Sequence, residues 1–379
     1  MQMIEIPVPD FDLAKTLESG QVFHWEKIGN GFGGTIGDLA VYVEQRGDVL
    51  KIRAGQTQRD CFKQSSWSGT GSEERIVGGT VARYFALDHP LAQICASFPQ
   101  DETMKAAGDF CRGLRIIRQP KWECLATFIC SSMKQVAHIR QISQALRRRF
   151  GEPRKIGLQR SIQNAHGGSA APRAMLIDSA SPTFANIEQG TARSTCNHTV
   201  YTFPTPARLA KSSEKDLREC ALGYRAKNLL ATARLVAKGD VDLEKWAALA
   251  DVDLRARLCE LPGVGAKVAN CVMLFAYERL RAFPIDVWIE RVLRENYFPR
   301  ARKLNATRLR TFTQEHFGEH GGYAQQYLFH HARMNKQVDG GRRAVGAKKN
   351  GTRPAFVPQS GDFGVASGAY PSKMTKARA

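Results

Sequence analysis

The stretch DVDLRARLCELPGVGAKVANCVMLFAYERLRAFPIDVWIERVL, residues 251–293, decides the fold. Leu254, Leu258 and Cys259 put an apolar face on a short helix, and Val268, Val272 and Phe275 do the same on the next. Between them runs Leu261-Pro262-Gly263-Val264-Gly265. Pro262 stops the first helix, and the two glycines permit backbone turns closed to other residues. Such a hairpin aims free N–H groups at the start of the second helix toward one point, an arrangement that binds a phosphate without reading a base. PGVG alone also fits an ordinary tight helix–helix turn.

Lys267 follows in the first turn of the second helix. A cation there opposes the helix dipole, and the same field with partial burial favours the free amine that Schiff-base lysines require. A phosphate-binding lysine is the competing reading. Nineteen residues on, Asp286 lies among apolar neighbours in Phe283-Pro284-Ile285-Asp286-Val287, just before the helical run IERVLREN. It is either a helix N-cap or a poorly solvated carboxylate paired with Lys267.

The composition agrees with a nucleic-acid partner. The 379 residues include 55 Lys+Arg against 36 Asp+Glu, a net charge of +19, while 43% hydrophobic content is that of a globular chain with a sizeable core. No run of about 18 apolar residues exists to span a membrane, and MQMIEIPVPDFDLAK lacks the basic-then-apolar order of a signal peptide. The nine cysteines are odd in number, scattered and without a C-x-x-C pair, so reduced thiols are expected, with no metal, iron–sulfur centre or other cofactor.

Around the hairpin the chain reads as α+β, an N-terminal antiparallel sheet domain followed by a mostly helical domain. QVFHWEKI, GGTI, LAVYVEQ and VLKIR alternate with Gly-containing turns between residues 20 and 54, the pattern of a meander. Ala54 to about Thr80 reads as a polar loop. Helical spacing begins at Arg83. Trp122 to Phe150 reads as one long helix ending in Arg147-Arg148-Arg149, and SSEKDLREC, AKNLLATARLVAKG and VDLEKWAALA as further helical segments. The expected division is 1–115 for the sheet domain and 116–338 for the helical domain, with a mobile Gly/Ser/Ala-rich insertion at 153–199. Residues 339–379, with eight basic residues against two acidic ones, are expected as a disordered basic tail.

Taken together these motifs resemble the helix–hairpin–helix DNA glycosylase superfamily, and within it the 8-oxoguanine DNA glycosylase/AP lyase group. Ser19-Gly20-Gln21-Val22-Phe23-His24-Trp25 is similar to that family's SGQxFRW, and Tyr84-Phe85-Ala86-Leu87-Asp88 to its YFxLD. Arg118-Gln119-Pro120 through Cys124 and Phe128-Ile129-Cys130-Ser131-Ser132 resemble its RQ…ECLxxFICSS. Leu222-Gly223-Tyr224-Arg225-Ala226 matches LGYRA, and Tyr323-Ala324-Gln325 to Phe329 resembles WAQxxLF. The matches keep their order over about 300 residues.

The resemblance implies excision of oxidised purines from duplex DNA, with strand nicking by β-elimination. Lys267 is implied as the nucleophile on the sugar C1′ and Asp286 as the stabiliser of the developing charge. Gly20, Cys271, Gln325 and Phe329 are implied to form the pocket for the flipped base. The Gly20 carbonyl would accept the N7–H that oxidised guanine alone carries, Cys271 and Phe329 would sandwich the ring, and Gln325 would meet its pairing edge. Gly263, Val264, Gly265, Tyr224, Arg225 and His138 are implied to touch DNA, with Tyr224 as the wedge. Where the family has asparagines after ICSS, this chain has Met133-Lys134-Gln135, and His138 replaces an arginine that reads the opposite base. The family's preference for cytosine opposite the lesion is therefore not implied. A monomer on damaged duplex DNA is expected, with no membrane, in the bacterial cytoplasm or the eukaryotic nucleus. Two alternatives stand beside this reading: a related glycosylase for another base class such as alkylated purines, and a non-catalytic DNA-gripping module, which would need neither Lys267 nor Asp286.

Overall fold

The sheet forms where the sequence alternates. In the computed structural model, which describes residues 3–55, 70–131, 134–159 and 195–346, β1 (Ile4–Pro7), β2 (Glu26–Ile28), β3 (Gly31–Ile36), β4 (Leu39–Arg46) and β5 (Val49–Ala54) make one antiparallel sheet of order β1-β5-β4-β3-β2. Gly29, Gly37 and Gly47, all at left-handed φ, turn the meander's hairpins. Strand β1 pairs with β5, Ile4 facing Ile52, and adds an edge that the meander pattern does not announce. β4 is buried on both faces: Val41 and Val43 join the core beneath the sheet, whereas Ala40 and Tyr42 pack on Ile156 and Val200. Those last two belong to β6 (Pro153–Gln159) and β7 (Thr195–Tyr201), an antiparallel pair at the ends of the expected insertion. Residues 160–194 of that insertion lie outside the described residues.

The helices are α1 (Leu13–Glu18), α2 (Thr70–Tyr84), α3 (Leu91–Ala96), α4 (Glu102–Phe110), α5 (Lys121–Ser131), α6 (Val136–Phe150), α7 (Pro206–Ala210), α8 (Glu214–Leu217), α9 (Arg225–Lys238), α10 (Asp251–Cys259), α11 (Ala266–Ala276), α12 (Val287–Val292), α13 (Ala306–Phe317) and α14 (Gly321–Gly346). Four expectations are corrected. Part of the expected polar loop is α2, whose Val77, Val81 and Tyr84 enter the core under the sheet, with Phe85 just after it. The expected single helix 122–150 is two, because the Ser131 hydroxyl closes the last turn on the Phe128 carbonyl (2.8 Å) and Gln135 is extended. Within VDLEKWAALA only a short 3-10 turn forms, Lys245–Ala248. Finally, α14 carries helix on to Gly346, into the expected tail; residues 347–379 lie outside the described residues.

Met1–Asn335 form one compact unit. A buried charge network ties its sheet to its helices. Arg147, 2% exposed, pairs with Glu123 of α5 and donates to the Thr35 hydroxyl (2.8 Å) and the Tyr201 carbonyl (2.9 Å). Beside it His24 bonds to the Thr35 carbonyl (2.9 Å). Burial and the Arg147 charge hold this imidazole well below its ordinary range, so it is neutral at pH 7. The arginine cluster at the end of α6 is thus divided: Arg147 is structural, while Arg149 pairs with Asp216 and Glu219 at the surface.

Candidate active site

The hairpin predicted from 251–293 is present. Helix α10 ends at Cys259, the chain turns through Pro262 and Gly263, and α11 starts at Ala266. Gly263 has φ +81°, and a Cβ there would stand 2.8 Å from the Asn228 Cβ, so both conformation and close packing require glycine. Gly265 behaves differently. Its backbone is extended (φ −100°), and a Cβ would meet nothing within 4 Å. The expectation that both glycines hold turns closed to other residues is therefore corrected: only Gly263 does. Val264 is buried in the helical core, and the hairpin's other contact is the Thr232 hydroxyl donating to the Pro262 carbonyl (3.2 Å).

Lys267 sits in the first turn of α11, half-buried. Its Nζ lies 5.1 Å from the centre of the Phe128 ring and 3.5 Å from the Ser131 hydroxyl, both on α5. Phe128 itself stacks on Phe275 of α11, with centroids 5.5 Å apart and planes at 9°. This aromatic pair locks the two helices and fixes the amine over a dry face. One turn on, Cys271 is buried, and burial pushes its thiol up despite the nearby Lys267 charge.

Asp286 is the N-cap of α12. Its Oδ1 accepts from the Trp288 N–H (3.0 Å) and the Ile289 N–H (2.9 Å), whereas Oδ2 accepts from no described residue. Burial raises its carboxyl above the usual range, opposed by the Ile289 hydrogen bond and the positive charge of Lys267. The two sequence alternatives for Asp286 are thus one arrangement: one oxygen caps the helix, and the other is left beside the amine.

Gly20 lies against α14. It has φ +88°, and a Cβ would stand 3.1 Å from the Phe329 ring and 2.7 Å from Arg333 Nη1. Three glutamines set its backbone. Gln326 donates to the Ser19 carbonyl (3.0 Å), Gln119 to the Gln21 carbonyl (2.7 Å), and the Gln21 side chain bridges the Arg115 carbonyl (2.8 Å) and the Ile117 N–H (2.8 Å). With both neighbouring carbonyls engaged, the Gly20 carbonyl accepts from no described residue. Gln325 is 4% exposed, and its Oε1 has no hydrogen-bond partner among the described residues.

Of the residues expected to touch DNA, Tyr224 is 57% exposed and follows Gly223 at φ +59°, with the buried Arg225 guanidinium 4.4 Å from its ring centre. His138 is exposed in the first turn of α6, and Val136 beside it approaches Gly20. Met133 lies outside the described residues.

Two family models match. The 8-oxoguanine DNA glycosylase N-terminal domain covers residues 3–125, and the HhH-GPD superfamily base excision DNA repair protein covers 175–314. The chain belongs to the helix–hairpin–helix glycosylase superfamily. It is similar to a probable N-glycosylase/DNA lyase of Methanothermobacter thermautotrophicus, 26% identical over 90% of this chain and all of the relative. It is likewise similar to the N-glycosylase/DNA lyase OGG1 of Arabidopsis thaliana, 27% identical over 84% of this chain and 77% of the relative. Among solved glycosylase structures, MBOgg1 in complex with a low affinity DNA ligand is 28% identical with a TM-score of 0.68, covering 89% of this chain and 97% of that one. The Clostridium acetobutylicum 8-oxoguanine glycosylase/lyase, bound to duplex DNA containing cytosine opposite 8-oxoguanine, is 27% identical with a TM-score of 0.65, covering 86% and 93%.

Lys267, Cys271 and Asp286 thus share one electrostatic neighbourhood, and Gly20 lies against Phe329, one helical turn after Gln325 on α14. Sequence reasoning left Phe128 and Ser131 without a role, although both lay inside a quoted motif. It missed Arg333 and Asn228 altogether. Arg333 had one available signal: it lies four residues after Phe329 and eight after Gln325, on the same face of α14.

Proposed function

We propose that this chain is a base-excision-repair DNA glycosylase with AP lyase activity, acting on oxidised purines flipped from duplex DNA. One observation supports it above the rest: an amine set over Phe128 and Ser131 at a helix start, with a half-used, poorly solvated carboxylate capping the next helix. In this reading the Lys267 amine attacks C1′ as the C1′–N9 bond breaks. The bonding electrons leave with the base, which takes up a proton. Asp286, ionised through its free oxygen, stabilises the positive charge that develops on the sugar. The C1′–O4′ bond of this adduct then breaks, O4′ taking up a proton as the nitrogen gives one up, and the ring-opened imine loses a C2′ proton and expels the 3′-phosphate, nicking the strand.

The Gly20 carbonyl accepts the lesion's N7–H; guanine would oppose an acceptor to it, a cost of about 1–3 kcal/mol. Gln325 meets the pairing edge, and Phe329 and Cys271 enclose the ring. Gly263 to Gly265 grip a phosphate, Tyr224 and Arg225 support the gap left by the base, and His138 stands on the side of the opposite strand. A monomer suffices, since one chain supplies every residue named.

The test is borohydride trapping on duplexes with and without 8-oxoguanine. The unsubstituted chain should be trapped on the damaged duplex alone. Lys267→Gln should bind it yet give neither adduct nor nick; an adduct formed by that variant would assign the imine to another amine.

A further inference from the structure

Arg333 lies against Gly20 and has no part in the family reading. It follows Gln325 and Phe329 at steps of eight and four along α14, so the three share a helix face about 12 Å long. Its Nη2 donates to the Glu18 carbonyl, which anchors the guanidinium beside the Gly20 segment. Its centre lies 5.5 Å from the Phe329 ring, and Nη1 abuts Gly20. Nε and Nη1 are both buried and have no hydrogen-bond partner among the described residues, as is also true of Oε1 of the deeply buried Gln325 on the same face. Buried donors of a charged group rarely go unpaired, and when they do they commonly await a ligand atom. Burial draws the guanidinium down to about 10, and it stays a cation at neutral pH.

We propose, resting on the function above, that Arg333 determines specificity by donating from Nη1, the nitrogen that abuts Gly20, to the C8 carbonyl of the flipped oxidised purine. The order of the face selects that atom. Gln325 meets the pairing edge, Phe329 covers the ring, and Arg333, farthest along, meets the five-membered end. O8 sits there beside the N7–H that Gly20 accepts, whereas O6 adjoins the pairing edge. The wall therefore reads two features that guanine lacks, one by an acceptor and one by a donor. A pocket built to satisfy both rejects the undamaged base, because entry would leave buried donors unpaired.

The experiment compares single-turnover excision of 8-oxoguanine and of 8-thioguanine, which keeps N7–H but offers a weakly accepting sulfur at C8. The proteins are the unsubstituted chain, Arg333→Met and Arg333→Lys. Borohydride trapping on an abasic duplex, which presents no base, reports folding and DNA grip. The unsubstituted chain should favour 8-oxoguanine by on the order of 10- to 100-fold, as for one charge-assisted hydrogen bond. Arg333→Met should lose that preference through a fall in 8-oxoguanine excision alone, and Arg333→Lys should keep part of it. Three results would overturn the proposal: undiminished 8-oxoguanine excision by Arg333→Met, equal slowing of both lesions, or loss of abasic trapping in parallel. If the unsubstituted chain is itself not trapped on abasic DNA, the glycosylase–lyase reading falls first, and Arg333 with it.

Discussion

Gly263 and Gly265 stand two residues apart in one hairpin, yet alanine should affect them in opposite ways. At Gly263 the left-handed backbone (φ +81°) costs an L-residue about 1–2 kcal/mol. The new Cβ would also press on Asn228 at 2.8 Å from its Cβ and 2.9 Å from its Nδ2. Asn228 belongs to α9, so relief requires moving a helix, an overpacking cost of about 1–3 kcal/mol. The sum is about 2–5 kcal/mol. At roughly 2 °C per kcal/mol for a chain of this size, Tm should fall by about 4–10 °C. At Gly265 the backbone is extended and the space is open, so Gly265→Ala should leave Tm almost unchanged, or raise it by the 0.4–1 kcal/mol or so of lost unfolded-chain entropy. Its methyl would instead stand at the N-terminus of α11, where the proposed function brings a phosphate. Loss of one or two phosphate hydrogen bonds at about 1 kcal/mol each predicts about tenfold weaker duplex binding. Thermal unfolding and a binding titration at fixed salt, run on both variants, check this. A Gly265→Ala chain that melts early while Gly263→Ala melts like the unsubstituted chain would refute the steric argument.

Three further outcomes are expected. Asp286→Asn keeps an oxygen for the Trp288 and Ile289 N–H groups, so the cap and Tm should survive while single-turnover excision drops by about two to three orders of magnitude. Because burial raises this carboxyl, activity in the unsubstituted chain should fall as pH drops through a value above the usual ~4, and a pH–rate profile of Asp286→Asn should lack that acidic limb. Arg147→Ala would leave Glu123 buried without its partner, a loss of about 3–5 kcal/mol; Arg147→Met with Glu123→Gln should recover much of it in a melting experiment, and equal melting of the two would show that the pair is not coupled.

Much of this architecture was legible because it rests on local rules. The meander from Glu26 to Ala54 announced itself through period-two alternation and glycines that turn its hairpins. The helix–hairpin–helix showed in two apolar faces around Pro262 and Gly263. What escaped notice depended on distant partners. Strand β1 is four residues long and gains its identity only from pairing with β5. Helix α2 carries Gly78 and Gly79 in a weakly amphipathic run and is held by the sheet above it. The break between α5 and α6 was hidden because the apolar positions stay in helical register on both sides of it. Asp286 was read as a choice between cap and active carboxylate, although a carboxylate has two oxygens and can be both. Gly265 misled for the converse reason: a glycine may serve by lacking a side chain in an ordinary conformation, and sequence cannot separate that from a need for positive φ.

The glutamine brace around Gly20 joins the two ends of the folded unit, since Gln326 reaches Ser19 across 307 positions and Arg333 reaches Glu18 across 315. Lys267, Asp286 and the hairpin are all complete before α14 begins. A chain clipped ahead of Gly321 would lose both braces, and with them Tyr323, Tyr327 and Leu328, which are buried in the same core as Val264 and Val268 of the hairpin. The helix that carries the proposed base wall is therefore also the helix that closes the core, so that part of the site cannot be lost without the fold.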